Sequence, residues 1–194
     1  MTGDAAGEFS VAGGVQEVEV KYQVDSLADL EHALAARGAV LSPPVKQDDQ
    51  AFAQDGWTYG QSKIGVTFAR LRTEDERHLF TVKTPIDNAM ACLEHETEVA
   101  DRTQMHQAII MMGFYPTVRI VKRRRTAILD GVALCVDEVE HAGLFVEFER
   151  LVADGASGTA AQRELDQLAR SLGVQLRQVS DTYDSLVRAA PAST

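Results

Sequence analysis

Acidic residues recur in this sequence in pairs spaced two apart: Glu17 with Glu19, Glu96 with Glu98, and Glu147 with Glu149. Basic residues repeat the spacing as Arg70 with Arg72 and Lys122 with Arg124, while Lys21, Lys83 and Asp137 stand singly in similar segments. Carboxylate oxygens are the natural ligands of Mg²⁺ or Mn²⁺. Guanidinium forks hold phosphate bidentately, and lysines act as point charges. A metal bridging phosphate oxygens, with cations on the remaining oxygens, stabilises the charge that develops in phosphoryl or nucleotidyl transfer. The chain has no Walker glycine loop and no G-x-G-x-x-G, so phosphate would be held by side chains alone.

A spacing of two is the period of a β-strand, whose side chains alternate between its faces. In Glu17-Val18-Glu19-Val20-Lys21-Tyr22 the charged residues share one face and the apolar residues the other. The same alternation predicts strands over 15–24, 47–53, 68–72, 78–84, 93–100, 118–126, 132–139, 144–151 and 174–179. Pro85 is expected to end the fourth of these. Helices are predicted after Asp25 or Ser26, with Leu27, Leu30 and Leu34 as the apolar stripe and Gly38 as the stop, and after Asp101, with Gln104 at the capping-box position. Two more follow over 159–172 and 181–190. Ile109, Ile110, Met111 and Met112 are expected to fill core on the second helix. Residues 55–65 form a polar loop whose Trp57 and Tyr59 either cover a ligand or pack on the rim. A strand ending in carboxylates, then a helix, then a glycine recurs at 17–38 and 96–113 and more loosely at 147–173, which suggests two facing halves.

Two architectures position such rows. In one, an open sheet backed by helices turns its charged face to water. In the other, the strands close on themselves, with apolar contacts to helices outside and charge within. The charged face is almost entirely Glu, Lys and Arg, segregated by strand. Like charges ~4 Å apart repel by about 4 kcal/mol at an effective dielectric near 20, so such rows need compensating ligands. A polyphosphate would answer the bases and a divalent metal the acids.

Composition narrows the function classes. The chain's 194 residues, 45% hydrophobic and 25% charged, suit one globular domain. A net charge of -10 argues against general nucleic-acid binding but not against a small anion in a locally basic cavity. No apolar run reaches a membrane span, and the N-terminal region shows no secretion signal. Cys92 and Cys135 form no C-x-x-C, which points to a reducing, cytoplasmic setting and away from structural zinc.

In order, these residues resemble the CYTH family, also called triphosphate tunnel metalloenzymes. Its Glu-x-Glu-x-Lys is met by Glu17, Glu19 and Lys21, its Arg-x-Arg by Arg70 and Arg72, and its following lysine by Lys83. Glu96 and Glu98 meet the central Glu-x-Glu, and Lys122 and Arg124 the Lys-x-Arg. Asp137-Glu138-Val139 and Gly143 to Glu149 meet the closing motif. The resemblance implies an α+β fold, a closed antiparallel eight-stranded β-barrel with a charged lumen and helices outside. It implies one such domain over 15–190, between tails at 1–14 and 191–194. It also implies a linear triphosphate bound with Mg²⁺ or Mn²⁺. Lys21, Arg70, Arg72, Lys83, Lys122 and Arg124 would bind phosphate, with Lys83, Lys122 and Asp137 as the catalytic candidates. Glu17, Glu19, Glu147 and Glu149 would carry metal, with Glu96 and Glu98 as further candidates. Gln47 to Phe52 looks most like the subgroup of class IV adenylyl cyclases, whose strand reads Gln-x-Asp-x-Tyr-Phe. The implied reaction is therefore ATP to cyclic AMP and pyrophosphate. Hydrolysis of thiamine triphosphate or inorganic triphosphate is the alternative, and a non-catalytic nucleotide or polyphosphate sensor is the third reading. The implied partner is a small-molecule triphosphate, without nucleic acid or membrane; a homodimer is left open.

Overall fold

The computed structural model describes residues 15–153 and 156–190; the expected tails at 1–14 and 191–194 lie outside these. Among the described residues, nine strands and four helices follow one another as β1 (Val15–Val24), α1 (Leu27–Ala36), β2 (Val45–Gln54), β3 (Phe68–Glu74), β4 (Arg77–Asn88), β5 (Ala91–Val99), α2 (Arg102–Met111), β6 (Phe114–Leu129), β7 (Val132–Val139), β8 (Gly143–Ala153), α3 (Gly158–Arg170), β9 (Leu176–Val179) and α4 (Tyr183–Ala189). Every neighbouring pair of strands is antiparallel. Eight strands close a ring in the order β1-β5-β4-β3-β2-β6-β7-β8, returning to β1. Among the described residues the closing seam is short: β5 meets β1 only at Gln16, Glu17 and Val18. Lys21–Val24, farther along the same edge of β1, pairs instead with β9.

The alternation in the strands sorts residues between the two faces. Val18, Val20, Tyr22 and Val24 of β1 pack outward with Leu134, Val136, Val146 and Phe148. There they meet Leu30 and Leu34 of α1 and Leu165 and Ala169 of α3. The Tyr22 hydroxyl donates to Asp166 on α3 at 2.5 Å. A second outer cluster sets Ile109 of α2 on Phe52, Ala69 and Leu71. The caps form as the sequence predicts: Ser26 Oγ accepts from the Asp29 N–H and an Asp101 carboxylate oxygen from the Gln104 N–H, offsetting orphan donors at each helix start.

Two local expectations are corrected. Pro85 does not end β4, which runs on to Asn88 through an irregularity in its pairing with β5; a bulge is where a residue without an N–H is tolerated inside a sheet. Only Ile109 of the Ile-Ile-Met-Met run fills core, whereas Ile110 is 38%, Met111 88% and Met112 57% exposed. One helical face touches the sheet, and three consecutive residues after Ile109 turn away from it.

A third apolar cluster lies inside the ring. Ile120, Val139 and Phe145 continue the inward rows of Lys122, Asp137 and Glu147 by one alternation, and Tyr183, Leu186 and Val187 of α4 pack on them. Helix α4 therefore stoppers one end of the lumen, while α1, α2 and α3 cover the outside.

Candidate active site

The inward rows converge on a cavity of about 300 Å³ inside the ring. The β1–β8 ladder sets Glu19 opposite Glu149 and Lys21 opposite Glu147. One carboxylate oxygen from each of Glu19, Glu147 and Glu149 falls within 4.8 Å of the others. Strand β3, which carries Arg70 and Arg72, stands across the ring from β8. Lys83 arrives from β4, and Lys122 and Arg124 from β6.

The lumen bases are already paired with acids. Lys21 Nζ lies 3.2 Å from Glu147 and 3.8 Å from Glu19. Lys83 lies 2.6 Å from Glu94 and 3.4 Å from Glu17. Arg70 reaches Glu96 at 3.1 Å and Glu94 at 3.6 Å. Arg72 makes a bidentate pair with Asp49 at 2.7 and 2.8 Å. Asp137, fully buried, accepts from Lys122 at 2.9 Å and from two Arg124 nitrogens at 2.8 and 2.5 Å. Arg124 also donates to Glu147 at 2.7 Å.

Burial and pairing split the carboxylates into two groups. Burial, with neighbouring carboxylates adding to it, pushes Glu17, Glu19 and Glu149 up to about 7. Burial would raise Glu147 as well, but Lys21 and Arg124 hold it below its usual range. Asp137 is likewise held well below the carboxylate range, against its burial, by Lys122 and Arg124. Asp49 falls to about 2 despite burial because Arg72 donates to it. Among the bases, burial and the nearby Arg124 lower Lys122, whereas Glu94 and Glu17 raise Lys83 against its burial. Three crowded carboxylate oxygens, two of them on groups whose ionisation burial and like charge make costly, are a donor set that a hard divalent cation would relieve. Glu19, Glu147 and Glu149 fit such an ion. Glu17 lies one step along the row and faces Lys83 and Glu94.

The candidates on β5 separate by depth. Glu96 stands at the mouth, 38% exposed, and accepts from Thr81 at 2.8 Å. Glu98 does not join the site; it pairs with Arg77 at 2.9 Å on the surface, and both side chains are more than half exposed. Beyond Leu93, β5 has outrun its pairing with β1, so its later residues reach solvent. The deep carboxylate of this strand is Glu94, which shares the alternation of Glu96 and Glu98 and was legible as their neighbour. Sequence reasoning also left out Asp49, the acidic residue that closes Gln47-x-Asp49, and Tyr183, which no spacing signals. Trp57 is almost wholly buried: its indole N–H donates to the Ser62 carbonyl at 3.1 Å, and it packs edge-on against Tyr59 and Phe68. It lines the cavity wall rather than forming an open flap. Lys63 of the same loop bonds Thr182, Asp184 and Ser185, tying the loop to the α4 stopper.

The profile of the CYTH domain matches residues 15–183. The chain belongs to the CYTH family. That match spans every strand of the ring, and the family is divalent-metal dependent. A protein of Methanocaldococcus jannaschii, named provisionally as an adenylate cyclase, is 25% identical over 160 residues, covering 81% of this chain and 90% of its own. Among solved structures, a conserved hypothetical protein from Pyrococcus furiosus superposes with a TM-score of 0.72 at 25% identity, covering 88% of this chain and 99% of that one. A protein from Hippeastrum, named provisionally as an adenylyl cyclase and described as having a dominant triphosphatase activity, shares the fold with a TM-score of 0.59 at 15% identity, covering 89% of this chain and 95% of that one. No helix among the described residues is long and apolar enough to cross a membrane.

Proposed function

We propose that this CYTH protein is a divalent-metal-dependent enzyme of the cytoplasm acting on a linear triphosphate, and that its reaction is the conversion of ATP to cyclic AMP and pyrophosphate. The carrying observation is the convergence, in one cavity, of the Glu19–Glu147–Glu149 cluster and six bases, Lys21, Arg70, Arg72, Lys83, Lys122 and Arg124. Mg²⁺ or Mn²⁺ on the carboxylates would supply Lewis-acid polarisation of the phosphate under attack. The chain's own bases would hold the remaining oxygens, exchanging carboxylate partners for phosphate. The ribose 3′ oxygen forms a bond to the α-phosphorus, and the bond from that phosphorus to the β-bridging oxygen breaks. Pyrophosphate leaves with the electron pair, and the hydroxyl proton passes to solvent. Lys83 and Lys122 would take up charge on the departing pyrophosphate. Asp137 would aim Lys122 and Arg124, since both already donate to it.

One observation favours hydrolysis as the second reading. Ala51 lines the cavity where the cyclase-type strand pattern carries tyrosine, so the wall lacks one aromatic that could hold a base. The test is a product assay on the purified chain with Mn²⁺ or Mg²⁺, offering ATP, thiamine triphosphate and inorganic triphosphate in parallel. Cyclic AMP with pyrophosphate is expected. Orthophosphate alone would replace the cyclase reading by a triphosphatase. Absence of both, with triphosphate still bound, would make the chain a sensor.

A further inference from the structure

Tyr183 is the first residue of α4 and stands inside the ring rather than on its surface. Its phenyl ring packs edge-on against Phe145, with centroids 5.4 Å apart. Lys21 Nζ lies 4.1 Å and Lys122 Nζ 4.8 Å from the same ring centroid. Both flanks of the residue are fastened. The Asp181 carbonyl accepts from Lys21 at 3.2 Å, and Lys63 donates to Thr182 at 2.6 Å and to Asp184 at 3.0 Å. The phenolic oxygen is shut off from solvent and makes no hydrogen bond among the described residues.

Such an orphan donor is costly, and in a native protein it points to a missing acceptor. Asp137 and Glu147 lie close by, but neither makes a hydrogen bond with the phenol: the Asp137 oxygens accept from Arg124 and Lys122, and Glu147 accepts from Arg124 and pairs with Lys21. Burial, with the charges of Glu147 and Asp137 adding to it, holds the phenol far above its usual range, so the group stays a neutral donor. What remains is an acceptor that arrives with the ligand. Lys21 and Lys122 both lie against this ring, so an anion bound by either ammonium comes close to it.

We propose that Tyr183 is a substrate-contacting residue, its hydroxyl donating to a non-bridging phosphate oxygen held between Lys21 and Lys122. The inference rests on the triphosphate reading above and assigns the C-terminal helix a part in the binding wall. It also accounts for the double fastening, since a phenol offered to one oxygen is useful only if its backbone is held still.

The test compares the full-length wild-type chain with Tyr183→Phe, which keeps the ring, its packing and both lysine contacts. Titration calorimetry with inorganic tripolyphosphate and with ATP, each in Mn²⁺, reads affinity, and scanning calorimetry of the unliganded proteins reads the fold. The expected result is an unchanged or slightly raised melting temperature with about 10-fold weaker binding of both triphosphates, the scale of one hydrogen bond to a charged acceptor. Unchanged affinity overturns the proposal, and a lowered melting temperature alongside it would identify the missing partner as internal water. Failure of the wild-type chain to bind either triphosphate would overturn this inference together with the function it rests on. Tight wild-type binding with an indifferent variant would overturn this inference alone.

Discussion

Replacing Asp137 by asparagine keeps the side chain's shape and removes the anion on which Lys122 and Arg124 converge. Asp137 is fully buried, Lys122 is 2% exposed and Arg124 is 15% exposed, so solvent screens little of the resulting repulsion. Breaking a buried pair by deleting one partner costs about 3–5 kcal/mol, because the other charge is left without compensation. For a chain of this size each kcal/mol lowers the melting temperature by about 2–4 °C, so the expected loss is roughly 6–20 °C at pH 7. Asp137 titrates below its unfolded value. Its contribution is therefore fully present above the ordinary aspartate range and fades as pH falls toward the folded value. The assay is scanning calorimetry of wild type, Asp137→Asn, Lys122→Met and the double variant. If the penalty comes from orphaned charge, Asp137→Asn with Lys122→Met will be more stable than Asp137→Asn alone. Added tripolyphosphate will also raise the melting temperature of Asp137→Asn more than that of wild type, because phosphate replaces the lost anion. A single variant as stable as wild type, or a double variant no better than the single, would refute the reasoning.

Glu17, Glu19 and Glu149 carry folded values of about 7 against 4.5 for the free side chain, so between those limits the folded state holds more protons than the unfolded one. Their contribution to stability should fall as pH rises through 5 to 7 and return when Mn²⁺ is added at pH 8; a melting temperature indifferent to Mn²⁺ at pH 8 would count against the carboxylate cluster as a metal site. Glu149→Gln should raise the metal-free melting temperature at pH 8 by relieving repulsion, while cutting Mn²⁺ affinity and metal-dependent turnover at least 10-fold; wild-type turnover at saturating metal would remove Glu149 from the ligand set. Lys83→Ala should weaken triphosphate binding by at least 10-fold, read by calorimetry, and unchanged affinity would take Lys83 out of the site.

Much of the lumen was legible because strand alternation is a strict rule. Once Val18 and Val20 turn outward to α1 and α3, Glu17, Glu19 and Lys21 have one direction left. The same rule put Lys122 and Arg124 inside and Arg123 outside. Depth along a row was not legible, because it depends on where two distant strands begin to pair. Glu94, Glu96 and Glu98 alternate identically, yet only the register of Leu93 against Gln16 decides that Glu94 lies deep and Glu98 lies on the rim. Asp49 and Tyr183 were missed for a related reason. Their partners, Arg72 and the Lys21–Lys122 pair, sit on other elements, and no local pattern names them. The exposure of Met111 and Met112 follows from how little of α2 the sheet contacts, which apolar composition does not report.

The closing seam bears on how the chain comes into being. β1 is made before the other strands of the ring, yet its long partner is β8, and the rest of its other edge waits for β9. Until β8 has been made, β1 has only its three-residue seam with β5 to pair with, and the cluster of Glu19 with Glu147 and Glu149 cannot assemble before β8 emerges. A nascent chain must therefore keep the apolar face of β1 out of mispairing until β8 has been made. The proposed metal ligands therefore come together late and nearly all at once, so their assembly would itself mark the closing of the ring.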